Sequence, residues 1–269
     1  MKEHLAELIK QGRDETMRRS LMREYLQART LEALQEQGVF MRWAFVGGTA
    51  LRFLYSLPRF SEDLDFSLLS PDRQPGFKDA LQKVKRLFSL EGYNISITLN
   101  DRKTVFSSFI RFPGLLHELG LSQQKSQVFS IKLELDTNPP TGSNSTTTIV
   151  RRHVTLNICH HDKASLMAGK LHAVFSRKWT KGRDLYDLAW YLADPMWPDP
   201  NLVFLNAALN QSGWKDDPMT TDNWRLQVLQ HLKTHNWQQA RDDVLPFLER
   251  QHDLDLVSFE SLKKLLAVK

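Results

Sequence analysis

The chain has 269 residues, 41% hydrophobic and 25% charged, which are ordinary values for a folded globular protein and not for a disordered or membrane-embedded one. Thirty-six basic residues against 31 acidic ones leave a formal charge of +5, a balance that favours polyanionic partners without identifying one. The single cysteine, Cys159, excludes an internal disulfide and a cysteine-rich zinc site, and is expected to act as a small apolar residue in a reducing compartment.

The opening MKEHLAELIKQGRDETMRRS alternates charged and apolar residues, and no stretch of the chain is apolar for long enough to span a bilayer. A cytoplasmic protein without a membrane partner is expected. Residues 2–37 place Leu21, Tyr25, Leu26, Leu31 and Leu34 at helical spacing and stop at Gly38, which predicts one or two amphipathic helices. Residues 40–46, FMRWAFV, read as a buried strand that ends in Gly47-Gly48, with a short helix from Thr49 to Tyr55. After the loop around Pro58, Asp63, Asp65 and Ser67 alternate with Leu64, Phe66 and Leu68, so a strand would present both aspartates on one face.

A helix is predicted over 72–90 from Phe77, Leu81, Val84, Leu87 and Phe88, followed by strands at 94–99, 105–112, 128–136 and 149–158. The stretch PPTGSNSTTT, 139–148, reads as a turn or hairpin tip. From Asp162 the pattern is helical: Asp162 would cap a helix from Lys163 to Arg177, another covers Leu185–Leu192, and Asp194-Pro195 stops it. The expected architecture is therefore α/β: a mixed sheet with flanking helices over 1–160, then a helical lobe over 161–269. The tryptophans of the second lobe are expected in its core.

Two carboxylates on one strand face, a third from a neighbouring strand and a glycine turn at a helix start suit the binding of Mg²⁺ and a nucleoside triphosphate. Mg²⁺ takes hard oxygen ligands and completes its shell with water and phosphate. Glycines let backbone amides approach phosphates, and a helix start favours an anion. By contrast, His160-His161-Asp162 has no partner group at metal-ligand spacing, and no P-loop or dinucleotide fingerprint occurs. The basic residues Arg151, Arg152, Arg177, Lys178, Lys181 and Arg183 read as a solvated face or as the wall of a polyanion groove.

GGTAL at 47–51 followed by RFSEDLDF at 59–66 resembles the AbiEii/AbiGii nucleotidyltransferase toxins. IKLEL at 131–135 resembles the strand carrying that family's third acid, and GKLHAVFSRKWTKGRDLYDL at 169–188 resembles its K-[LI]-x-A…R-D-x-x-D segment. The resemblance spans about residues 38–193. It implies that Gly47, Gly48 and Thr49 hold the triphosphate and that Asp63 and Asp65 bind Mg²⁺ or Mn²⁺. Glu134 is implied as the third acid, with Asp136, two residues further on the same face, as its rival. Lys170, which the residues alone allow either to point inward or to snorkel outward, is implied to point inward and neutralise phosphate charge. Arg183 would bind the nucleotide. Asp184 would orient Lys170, bind nucleotide or act as a base, and Asp187 is either a site acid or a plain acid of a helix start.

The implied activity is transfer of a nucleoside monophosphate from an NTP to an acceptor hydroxyl, the 3′ end of tRNA or another RNA, with release of pyrophosphate. A toxin role in phage defence, with a cognate antitoxin encoded nearby, comes with the resemblance. Transfer to a protein or small molecule, and a catalytically idle nucleic-acid-binding regulator, are the alternatives.

Overall fold

The computed structural model describes residues 2–70 and 75–267, and the chain divides into two units. The first comprises residues up to 56, 60–138 and 147–160; the second comprises 57–59, 139–146 and 161 onward.

In the first unit, α1 (Lys2–Ile9) and α2 (Glu15–Glu36) precede β1 (Trp43–Val46), α3 (Gly47–Tyr55) and β2 (Leu64–Leu68). Asp14 caps α2 by accepting from the Met17 N–H at 2.8 Å, which satisfies one of the orphan amides of the first turn. Then come α4 (Phe77–Leu90), β3 (Ser96–Asn100), β4 (Val105–Pro113), α5 (Leu115–Glu118), β5 (Val128–Asp136), β6 (Ser145–Arg152) and β7 (Val154–His161). Residues 72–74 of the predicted helix lie outside the described residues.

The strands form one mixed sheet in the order β3-β4-β5-β2-β1-β7-β6. β2 runs parallel to β5 and antiparallel to β1, while β1 runs parallel to β7. Strand periodicity sorts the side chains of the central strands. Phe129, Ile131, Leu133 and Leu135 of β5, Ile110 and Phe112 of β4, and Leu64 and Phe66 of β2 are buried in one aromatic-rich core. The alternate residues, Ser130, Lys132, Glu134 and Asp136 of β5 with Ser107, Phe109 and Arg111 of β4, stand on the other, more open face.

Three sequence expectations need correction. The single strand predicted over 149–158 is a hairpin, β6 and β7, and its turn falls at His153 with φ 61°. No glycine, proline or asparagine marks that turn. A tertiary contact holds it instead: the His153 ring lies 3.1 Å from Glu24 and stacks edge-on against Tyr25. The hairpin tip expected over 139–148 is also partly strand, because β-branched Thr146, Thr147 and Thr148 extend β6 along the sheet edge. The predicted strand 40–46 begins with a 3₁₀ turn, Val39–Met41, and extends only from Trp43.

In the second unit, α6 (Lys163–Ser176) and α7 (Gly182–Ala193) are followed by α8 (Leu202–Gln211), α9 (Trp224–Leu232), α10 (Trp237–Val244) and α11 (Phe259–Ala267). Asp162, Asn201 and Asn236 cap α6, α8 and α10 through their side chains. Helix α7 packs against α6, α10 and α11. A side chain at Gly182 would run into the Ala240 carbonyl, so the close approach of α7 and α10 requires glycine there. Trp197 and Trp224 are buried in this unit. Among the described residues, no helix is long and apolar enough to cross a membrane.

Candidate active site

Sheet register assembles the acids of the first unit. β1 sets Val46 opposite Asp65, and β5 sets Glu134 opposite Asp65 on the other side. The chain leaves β1 at Gly47, which takes φ 78° against the Asp65 carboxylate; an added Cβ would collide with that carboxylate. Helix α3 therefore starts at Gly47, two residues earlier than the sequence suggests, and its first-turn amides, lacking intrahelical partners, are donors suited to an anion. The Thr49 hydroxyl donates to the Asp63 carbonyl at 2.5 Å, and Gln27 of α2 donates to the carbonyls of Ser61 and Glu62 at 3.2 and 2.9 Å. Thr49 is thus a positioning residue for the aspartate loop through its side chain.

Asp63, Asp65 and Glu134 are all half-buried. Lys132, two residues before Glu134 on the same strand face, places its Nζ 2.8 Å from Glu134 Oε1. Burial opposes its ammonium, but the hydrogen bond and charge of Glu134, then the charges of Asp63 and Asp65, outweigh burial and raise its pKa. Three carboxylates against one ammonium leave two negative charges among these four groups. Asp136 lies one pleat away, opposite Ser67, where its Oδ1 accepts from the Asn138 N–H at 2.9 Å and burial raises its pKa.

Among the described residues, no group of three or more His, Cys, Asp or Glu is placed to hold a metal ion by itself. The donor chemistry nevertheless suits a divalent ion of the kind completed by substrate: hard carboxylate oxygens side by side on neighbouring strands, and a glycine that keeps space beside Asp65.

The second unit gathers a different cluster. The Lys170 side chain of α6 is about 10% exposed, with its Nζ 2.8 Å from both Asp184 and Asp187 of α7. Arg177 reaches Asp184 at 2.8 Å. Arg59 makes a bidentate pair with the fully buried Asp187, at 2.6 and 2.5 Å. Burial disfavours the Asp184 carboxylate, but Lys170 and then Arg177 overcome this and lower its pKa; burial likewise opposes the Lys170 ammonium, and Asp184 and Asp187 outweigh it and raise its pKa. Three cations against two carboxylates leave one positive charge here. Arg183 lies beside this cluster in sequence; its guanidinium lies 4.1 Å over Phe247, and its backbone N–H donates to Asp243 at 3.3 Å.

The structure thus brings Gly47, Gly48, Thr49, Asp63, Asp65 and Glu134 together in the first unit, and Lys170, Asp184 and Asp187 in the second. Lys132 and Arg59 were not singled out from the sequence. The period of two that pairs Asp63 with Asp65 also pairs Lys132 with Glu134, so Lys132 could have been found; nothing in the loop around Pro58 marks Arg59 as buried. His160 meets the Thr148 hydroxyl at 2.9 Å, His161 packs edge-on against Phe204 and Asp162 caps α6, which accounts for that run without a metal.

No curated protein matches the chain. Among solved structures, the chain is similar to MenT4, a nucleotidyltransferase toxin from Mycobacterium tuberculosis H37Rv, at 17% identity and a TM-score of 0.53, with 100% of this chain and 90% of that one covered. It also matches JHP933 from Helicobacter pylori at 20% identity and a TM-score of 0.46, covering 93% of this chain and 89% of that one. The sequence model of the family described as "Nucleotidyl transferase AbiEii toxin, Type IV TA system" matches residues 29–266. The chain belongs to the AbiEii family of type IV toxin–antitoxin nucleotidyltransferases and is a nucleotidyltransferase.

Proposed function

We propose that the protein transfers a nucleoside monophosphate from an NTP to the 3′-terminal hydroxyl of an RNA, a tRNA in the simplest case, and acts as a toxin countered by a cognate antitoxin. The observation that carries the reading is the register of β1, β2 and β5, which sets Asp65 between the Gly47 turn and Glu134. A bound Mg²⁺ or Mn²⁺ would be held by Asp63, Asp65 and Glu134, lowering the pKa of the attacking hydroxyl and steadying the leaving pyrophosphate.

The chain's own residues do the rest. First-turn amides of α3 receive triphosphate oxygens. One carboxylate of the set accepts the acceptor's proton as its O–H bond breaks, the oxygen bonds to the α-phosphorus, and the bond to the β-phosphate oxygen breaks with its electron pair leaving on pyrophosphate. Positioning and charge neutralisation account for most of the catalysis, as in phosphoryl transfer generally. Lys170, oriented by Asp184, and Arg183 are proposed as donors to the phosphates on the motif match at 169–188.

The test is incubation of the purified protein with Mg²⁺ or Mn²⁺, each labelled NTP in turn, and total RNA or protein extract, with Asp65→Ala alongside. Label in RNA that depends on Asp65 is expected. Label confined to protein would move the acceptor to another class, and equal labelling by the variant would overturn the mechanism.

A further inference from the structure

The first unit carries a groove of about 310 Å³, bounded by Arg19 and Arg23 of α2, Phe109 of β4, Phe129 and Lys132 of β5, and Asp63. We infer that this groove seats the terminal nucleotide of the RNA acceptor and presents its hydroxyl to the carboxylates, a step that rests on the function proposed above.

Four observations carry it. First, the groove ends on the acids: Asp63 and Lys132 line it, and Lys132 is hydrogen-bonded to Glu134. Second, the order of strands separates donor from acceptor. Gly47 follows β1, on one side of β2, whereas the groove is built on β5 and β4, on the other. Attacking and leaving oxygens lie roughly in line in phosphoryl transfer, so a triphosphate held at the β1 side is met by an acceptor from the β5 side. Third, Phe109 stands opposite Lys132 in register with 38% of its surface exposed, and it offers a ring on which any base can stack.

Fourth, the cations are held ready but partly balanced. Arg19 donates to the Leu121 carbonyl at 2.6 Å and pairs with Glu15; Arg23 donates to the Ser130 carbonyl at 3.2 Å, lies over Phe129 at 4.8 Å and has Glu62 at 3.7 Å. The Arg19 guanidinium fixed in this way keeps further N–H groups for phosphate oxygens, and Arg23 adds its positive charge. The volume is at the low end of the about 300–1,000 Å³ usual for small-molecule pockets, which suits one nucleotide and not a long strand. Recognition is therefore of a chain end, with few phosphate contacts.

The test measures binding apart from turnover. Fluorescence anisotropy with a short fluorescein-labelled single-stranded RNA bearing a free 3′ hydroxyl is compared for the wild-type chain, Phe109→Ala, Phe109→Trp and Arg23→Gln, alongside the affinity of each protein for a fluorescent NTP. Phe109→Ala is expected to weaken RNA binding about 5- to 150-fold, the range of one base stack, and Phe109→Trp to restore it. With two guanidiniums contacting phosphate, the log–log salt slope should be about −1.4, and less steep in Arg23→Gln. RNA affinity unchanged in both Phe109→Ala and Arg23→Gln overturns the groove assignment alone. Weaker NTP binding with RNA affinity kept also overturns it, by showing that the groove holds the donor's base. A wild-type protein that binds no RNA yet labels protein removes the RNA acceptor, and the groove's role with it.

Discussion

Asp65 and Glu134 in the first unit stand half-exposed on a sheet face beside Lys132, whereas Asp184 and Asp187 in the second unit are buried and each touches two cations. The difference follows from solvation. A charge taken out of water must be matched by partners within reach, so the helical unit pairs every acid of its cluster. Acids left at a half-wet surface keep water within reach, so their oxygens stay open to a divalent ion that completes its shell with water and phosphate. Glu24 shows that the first unit can also build the closed kind: it is buried among Arg52, Arg152 and His153, and although burial pushes its pKa up, those partners hold it at about 2.

The contrast predicts which substitutions unfold the protein and which only silence it. The largest effect is expected for Asp187→Ala, which strands Arg59 in a dry interior and should cost about 3–5 kcal/mol in urea unfolding. Equal destabilisation by Asp65→Ala would break the comparison. Asp65→Ala should instead lower nucleotidyl transfer by about 10²–10³-fold or more, with unfolding free energy within about 0.5 kcal/mol of wild type.

Acid sensitivity should follow the closed clusters. The Glu24 carboxyl titrates at about 2 when folded against 4.5 ordinarily, so its contribution to stability is fully present above pH 4.5 and is lost as pH falls from there towards 2. Glu24→Gln should be less stable at neutral pH and show a shallower decline over that window in urea unfolding; an unchanged decline would remove Glu24 as its source. The smallest effect is expected for Lys132→Met. Its ammonium is one-third exposed, so stability without metal should change by less than about 1 kcal/mol. Added Mn²⁺ should raise the melting temperature more in this variant than in wild type, and EDTA should reverse both shifts. Equal shifts would place the ion away from Lys132.

Much of the fold was written locally. The strand over 128–136 is where its alternation places it, Asp162 caps α6 as expected, and Asp63 precedes a strand that carries Asp65. Where local signals failed, long-range contacts made the decision. His153 turns a hairpin without turn residues because Glu24 and Tyr25 hold it, and the threonines near 146 become strand because a sheet edge accepts them.

The site divides in the same way. Periodicity and motif order determine by themselves that Lys132, Glu134 and Asp136 share a face and which glycines precede the acids, because strand geometry fixes the direction of every second side chain; Asp63, just before β2, lies outside that rule. Only the tertiary structure decides that Glu134, and not Asp136, stands beside Asp65, since a parallel register is set by packing across the sheet and not by any residue near β5. Likewise, only the fold buries Arg59 against Asp187, 128 residues away, where desolvation makes the pairing obligatory.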